Sequence, residues 1–309
     1  MDGRMNFKEE LKTRTAQAEA VLKKYLPKEE GYQKTVAEAM NYSVLAGGKR
    51  LRPILMQETF RLFGGEGEAV EPFMAALEMV HTYSLVHDDL PCMDNDEYRR
   101  GRKTTHVVYG EGMAVLAGDG LLNYAFETAV KAFETAGDGE ALRRVAKALS
   151  VFAGKAGIHG MIGGQTADIE AEDREAKGPG QPVTEELLLF IHEHKTAALI
   201  QSAMMTGAIL AGAGEEEIRR IEKCAYNIGI AFQIQDDILD ITSSLEVLGK
   251  AVGSDEKNHK TTYVTLKGME QAKRDMESLS EEAAAILTSF DGRNEFLEEL
   301  VRQLAGREK

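Results

Sequence analysis

Strict alternation of apolar and polar side chains is scarce along the chain, while apolar residues recur in helix-length runs. That pattern predicts an all-α protein, and the abundance of Ala, Leu, Glu, Lys and Met with only six prolines agrees with it. Breaks fall where Gly, Pro and Asp gather, at 47–48, 64–65, 136–139, 177–182, 212–214 and 248–259. Between them, residues 75–86 and 221–234 read as apolar helices. Residues 196–214, interrupted by Gln201, Ser202 and Thr206, read as a buried core helix and not as a membrane span. Pro53 suits the first turn of a helix running to about residue 63, since proline loses no needed N–H there. Thr184, Glu185 and Glu186 start another helix after a Pro/Gly loop too short to link domains. A single all-helical domain over residues 1–309 is therefore expected.

Composition narrows the partners. The 309 residues are 43% hydrophobic, enough for a substantial core. Against 37 Lys and Arg stand 51 Asp and Glu, a formal charge of -14, so nucleic acid is not expected and any polyanionic ligand needs a local basic pocket. Cys92 and Cys224 lie far apart, which suggests neither a disulfide framework nor a zinc site and makes a reducing cytoplasm the simplest compartment. No apolar leader is read at the N-terminus.

The strongest chemical signal is His87-Asp88-Asp89-Leu-Pro-Cys-Met-Asp94-Asn-Asp96, directly after the first apolar helix. A second cluster, Gln235-Asp236-Asp237-Ile-Leu-Asp240, closes the helix over 221–234, and Asp236 and Asp240 project from one helical face. Either cluster alone is equally well a solvated helix end. Two together fit a diphosphate site, because magnesium prefers carboxylate and water oxygens and bridges protein acids to phosphates. Basic runs at 47–53 (GGKRLRP) and 99–103 (RRGRK) flank the first cluster and supply the complementary charge.

GGKRLRP at 47–53, SLVHDDLPCMDNDEYRRGRKTTH at 84–106, GGQTADI at 163–169, HKTAALI at 194–200 and FQIQDDILD at 232–240 together resemble the trans-isoprenyl diphosphate synthases, in the same order and across most of the chain. Within 84–106 the likeness is to bacterial short-chain farnesyl diphosphate synthases and plant-type geranylgeranyl diphosphate synthases. The resemblance implies an isoprenoid synthase-type helical bundle around a deep central cavity, commonly a homodimer. It implies Mg2+ as cofactor, three ions with substrate bound, held by Asp88 and Asp94 with Asp89 in support, and by Asp236 with Asp240 in support. Lys49, Arg52, His81 and Arg100 match positions that hold isopentenyl diphosphate. Arg99, Lys195, Thr196, Gln233, Lys250 and Lys260 match those around the allylic diphosphate, with Lys195, Thr196 and Gln233 nearest the chemistry.

The implied reaction ionises the allylic C–O bond, lets the double bond of isopentenyl diphosphate attack C1, and ends with loss of a proton, released pyrophosphate serving as base. His87 is read as packing beside the aspartates. In the family a bulky residue a little over one turn before the first aspartate stops the growing tail. Here that floor is Tyr83, with Ser84 beside it, about 7.5 Å of helix from Asp88. A farnesyl (C15) product is thus expected. Geranylgeranyl or geranyl diphosphate synthesis, or a catalytically silent regulatory subunit, is the alternative. Two departures from the family pattern, Ala251 and Val264 where proline is common, concern the geometry around Lys250 and Lys260.

Overall fold

The computed structural model describes residues 5–176, 182–242 and 261–305, whose regular elements are helices apart from one two-stranded ribbon. They form two compact units, Met1–Gln57 with Glu66–Leu149, and Glu58–Gly65 with Ser150–Lys309.

The first unit holds α1 (Phe7–Tyr25), α2 (Lys34–Val44), the start of α3 (Leu51–Leu62), α4 (Glu71–Asp88), β1 (Tyr98–Arg99), β2 (Arg102–Lys103), α5 (Thr105–Tyr109), α6 (Glu111–Ala129) and most of α7 (Gly139–Ala156). Its centre is α4, buried on every side from Pro72 to Val80 and apolar there except for Glu78. Pro72 sits in its first turn, where the missing N–H costs nothing. Against α4 lies α6, whose buried residues include Ala114, Ala117, Gly118, Leu121 and Ala125; the alanines and the glycine let the two axes come close.

The second unit holds the end of α3 with α8 (Met161–Ala176), α9 (Glu185–Ile191), α10 (Ala198–Ala211), α11 (Glu215–Thr242), α12 (Tyr263–Lys267), α13 (Met269–Thr288) and α14 (Glu295–Ala305). Thr184 caps α9 by accepting the Leu187 N–H at 3.2 Å. Between α9 and α10 the chain stays helical but widens into a π-turn, His192–Ala197. From Ala198 to Leu210 every residue of α10 is buried, and Gly212 (φ 92°) ends it in the left-handed conformation. The apolar helix expected over 221–234 runs on to Thr242, so Asp236 and Asp240 lie on one helix, as their four-residue spacing implied. Among the described residues no helix is long and apolar enough to cross a membrane.

Candidate functional site

In the first unit, α4 ends at Asp88 and Asp89 caps it. The chain then doubles back: the Asp94 N–H donates to the Asp88 carbonyl (2.9 Å) and the Asn95 N–H to that of Leu90 (3.1 Å), with Asn95 at φ 54°. The loop thus brings the backbones of Asp88 and Asp94 together. Asp88 is half-buried and Asp94 exposed, whereas Asp89 is 4% exposed. One Asp89 oxygen accepts both Nε and Nη2 of Arg99, at 2.7 and 2.6 Å. Burial pushes the Asp89 carboxyl above its usual range, with Arg99 opposing. Among the described residues no three His, Cys, Asp or Glu side chains converge tightly enough to chelate an ion alone.

Arg99 and Arg100 belong to a two-residue hairpin. Arg100 (φ 52°) and Gly101 (φ 74°) are both left-handed, as a type I′ turn between β1 and β2 requires. Holding an arginine in that region costs strain and fixes where its side chain starts. The Arg100 guanidinium donates to the Gly47 carbonyl. Gly48 (φ 130°) leaves room for it, since a Cβ there would lie 2.7 Å from Nη1 of Arg100.

Around this hairpin the GGKRLRP segment and α4 complete a cationic cluster. Lys49 is exposed and Arg52 half-buried with no hydrogen-bond partner on Nε. Burial lowers the Arg52 pKa, Glu78 opposes this, and Arg100 adds to it. Arg100, though its surface is exposed, is lowered too, by partial desolvation first, with Glu78 opposing and Arg50 and Arg99 adding to it. Arg50, next to both, is 3% exposed and pairs at 2.7 Å with Glu78, itself 2% exposed, so its charge is structural. His81 faces all four arginines 50, 52, 99 and 100; burial first, then their charge, holds its ring well below the usual 6.5. Four of the sequence-assigned residues, Arg52, His81, Arg99 and Arg100, are therefore brought within electrostatic reach of one another. Such a cluster of positive charge is built to receive an anion.

A neutral His81 has a consequence for stability. Its folded pKa lies below the unfolded one, so the unfolded chain gains a proton first as pH falls. The His81 contribution is full above about 6.5 and is lost progressively below that value. A His81→Gln variant should accordingly show a shallower fall of Tm between about pH 6.5 and 5 than the parent. Parallel profiles would mean that the ring titrates normally.

In the second unit the residues assigned to the allylic diphosphate gather on the π-turn and α11. Lys195 and Thr196 are both half-buried members of the π-turn. Turns of this kind are frequent at functional sites because they push one residue out of helical register. Two glycines make room for it: a Cβ on Gly164 of α8 would lie 2.1 Å from the Lys195 backbone N, and one on Gly229 of α11 would lie 2.2 Å from the Ala197 Cβ. The Lys195 ammonium reaches Asp168 of α8 at 2.5 Å, and Asp168 is only 5% exposed. On α11, the Gln233 amide donates to Asp236 at 3.3 Å. Asp236 is half-buried and Asp240 is 4% exposed. The third acid, Asp237, accepts the Tyr263 N–H at 2.7 Å and so ties the start of α12 to α11. Thr262 and Thr265 cap that helix reciprocally, so Val264 occupies its first turn without the proline expected there. Lys250 and Lys260 lie outside the described residues.

Tyr83 of α4 is 6% exposed. Burial, and secondarily the Asp88 charge, push its phenol up to about 12. Ser84 beside it turns its hydroxyl back to the His81 carbonyl at 2.9 Å. Sequence reasoning passed over three residues: Arg50 inside the first basic run, Asp168 inside GGQTADI, and Gly118 on α6. Both the GGKRLRP and GGQTADI motifs carried a visible signal, but neither Arg50 nor Asp168 was singled out within them; Gly118 carried none.

The chain matches the family model Polyprenyl synthetase over residues 33–299. It is 44% identical to farnesyl diphosphate synthase of Bacillus subtilis, covering 89% of both chains. It is also 44% identical to geranylgeranyl diphosphate synthase of Cyanophora paradoxa, covering 89% of this chain and 88% of that one. The crystal structure of geranyltransferase from Helicobacter pylori complexed with magnesium and isoprenyl diphosphate aligns with a TM-score of 0.80 at 30% identity, covering 99% of this chain and 98% of that one. With the match spanning the acid loop of α4, the arginine hairpin, the π-turn and the acids of α11, the chain belongs to the polyprenyl synthetase family, as a short-chain trans-prenyl transferase.

Proposed function

We propose that the protein condenses isopentenyl diphosphate head to tail with dimethylallyl and then geranyl diphosphate, releasing farnesyl diphosphate and pyrophosphate. The C15 product rests on one observation: Tyr83 fills a buried place on α4, five residues before Asp88. An aromatic ring about 7.5 Å of helix below the metal-binding end can reach across the tail channel, which favours a short product. Relatives named for C20 products are as similar as those named for C15, which keeps geranylgeranyl diphosphate as the second reading.

In this reading the two units described above work as one catalytic domain, in a homodimer in the cytoplasm. Asp88 and Asp94, with Asp89, and Asp236, with Asp240, would hold Mg2+, whose charge when bound offsets that of the departing pyrophosphate. The chain's own residues do the rest. Lys49, Arg52 and Arg100 hold the isopentenyl diphosphate, and a neutral His81 donates a hydrogen bond to it without adding charge. Arg99 and Lys195, with Lys250 and Lys260, hold the allylic diphosphate. Thr196 and Gln233 turn oxygen dipoles toward the carbon where positive charge develops. Fixing both substrates converts a bimolecular attack into a local one, and apolar walls keep water from capturing the cation.

The test is product sizing. With Mg2+, labelled isopentenyl diphosphate and dimethylallyl or geranyl diphosphate, the dephosphorylated product should be a C15 alcohol. A C20 or C10 alcohol as main product would keep the chemistry and overturn the chain-length assignment.

A further inference from the structure

Tyr83 does not stand alone on α4. His87, one turn further on, meets it edge to face, with ring centroids 5.8 Å apart and planes 78° apart. His87 in turn is pinned from the other side by α6. Its Nε2 donates to the Val115 carbonyl at 3.2 Å, and Asp119 lies 3.9 Å from the same nitrogen. The ring fits there only because residue 118 is glycine: a Cβ at Gly118 would lie 2.0 Å from Nε2, 2.3 Å from Cδ2 and 2.8 Å from Cε1 of His87. Gly118 is itself fully buried, with ordinary helical backbone, so no turn geometry calls for a glycine at this place. What calls for it is the imidazole.

We infer that Gly118 and His87 are specificity-determining residues for product length: the notch at Gly118 seats the His87 ring, and the seated ring braces Tyr83 across the end of the tail channel. The inference rests on the reading of Tyr83 as the floor of that channel. It adds that the floor is set by α6 as well as by α4. A phenol ring is a firm stop only if it cannot swing, and an edge-to-face neighbour anchored by a backbone carbonyl limits that motion. A methyl group at residue 118 cannot displace the α6 backbone on which it stands, whereas the imidazole is the far end of a side chain. His87 therefore gives way, and Tyr83 loses its brace.

The experiment sizes the products of Gly118→Ala, His87→Ala, the double variant and Tyr83→Ala under fixed substrate ratios with Mg2+. Gly118→Ala and His87→Ala should each raise the C20:C15 ratio about tenfold, the order of discrimination that a pocket achieves on one hydrocarbon unit. In the His87→Ala background, Gly118→Ala should add nothing, because the atoms it collides with are gone. A merely structural role would lower rate or Tm without moving the ratio. Should Gly118→Ala fail to fold, His87→Ala removes the brace with no clash and carries the same expectation. If Tyr83→Ala lengthens the product while His87→Ala leaves the ratio unchanged, the inference fails and the floor reading stands. If Tyr83→Ala also leaves the product at C15, both fall.

Discussion

Replacing Asp88 by alanine is expected to lower turnover by about a thousandfold or more while leaving the helical fold intact. Asp88 is the last residue of α4, and the core face of that helix is carried by Phe73, Leu77, Met79 and Val80, all fully buried, so truncating a half-buried carboxylate removes none of the packing. In the proposed reading the loss falls on chemistry, because Asp88 would hold Mg2+, whose charge offsets that of the leaving diphosphate. Steady-state turnover with both substrates and saturating Mg2+, alongside circular dichroism, separates the two effects. A folded Asp88→Ala protein with normal turnover would sink the metal role of the first acid cluster.

The second large effect is expected at Gly164. Its Cβ position lies 2.1 Å from the backbone N of Lys195 and 2.6 Å from the carbonyl carbon of His194, so Gly164→Ala presses a methyl group against main chain that cannot step aside cheaply. Overpacking of this kind costs about 1–3 kcal/mol. Here it should also shift the π-turn and carry Lys195 and Thr196 with it, cutting turnover by at least about tenfold at full substrate occupancy. Gly154 in α7 is the contrast, for nothing described lies within 4 Å of its Cβ position. Gly154→Ala should leave turnover unchanged and stabilise the protein by about 0.5–1 kcal/mol, because alanine is the better helix former. Denaturant melts read the stability of both variants. Equal behaviour of the two would mean that the close approach of α8 to the π-turn does not matter.

Much of this site was legible in the sequence because its signals are local. An apolar run followed by acids marked the end of α4 two residues short of where it stops, and Thr184 announced the start of α9 through its cap. The apolar run stopped at residue 234, but the spacing of Asp236 and Asp240 already put them on one helical face; Ile234, Ile238 and Leu239 keep the buried face continuous and carry the helix to Thr242. Other features depend on contacts that no local pattern encodes. The hairpin of Arg99 to Arg102 turns on Arg-Gly instead of the usual Asn-Gly, and reads as a plain basic run. The π-turn inserts a single residue into one long helical stretch, too small a slip for periodicity to register. Asp168 meets Lys195 across 27 positions, and Gly118 meets His87 across two helices; both pairings exist only after packing.

The central claim is that two different diphosphates meet in one site and are joined. The most direct measurement follows consumption of the allylic diphosphate and release of pyrophosphate, with and without isopentenyl diphosphate, in the presence of Mg2+. A prenyl transferase consumes the allylic substrate only when isopentenyl diphosphate is supplied, and releases one pyrophosphate for each new carbon–carbon bond. Pyrophosphate release from the allylic substrate alone, or no consumption with both present, would contradict the account.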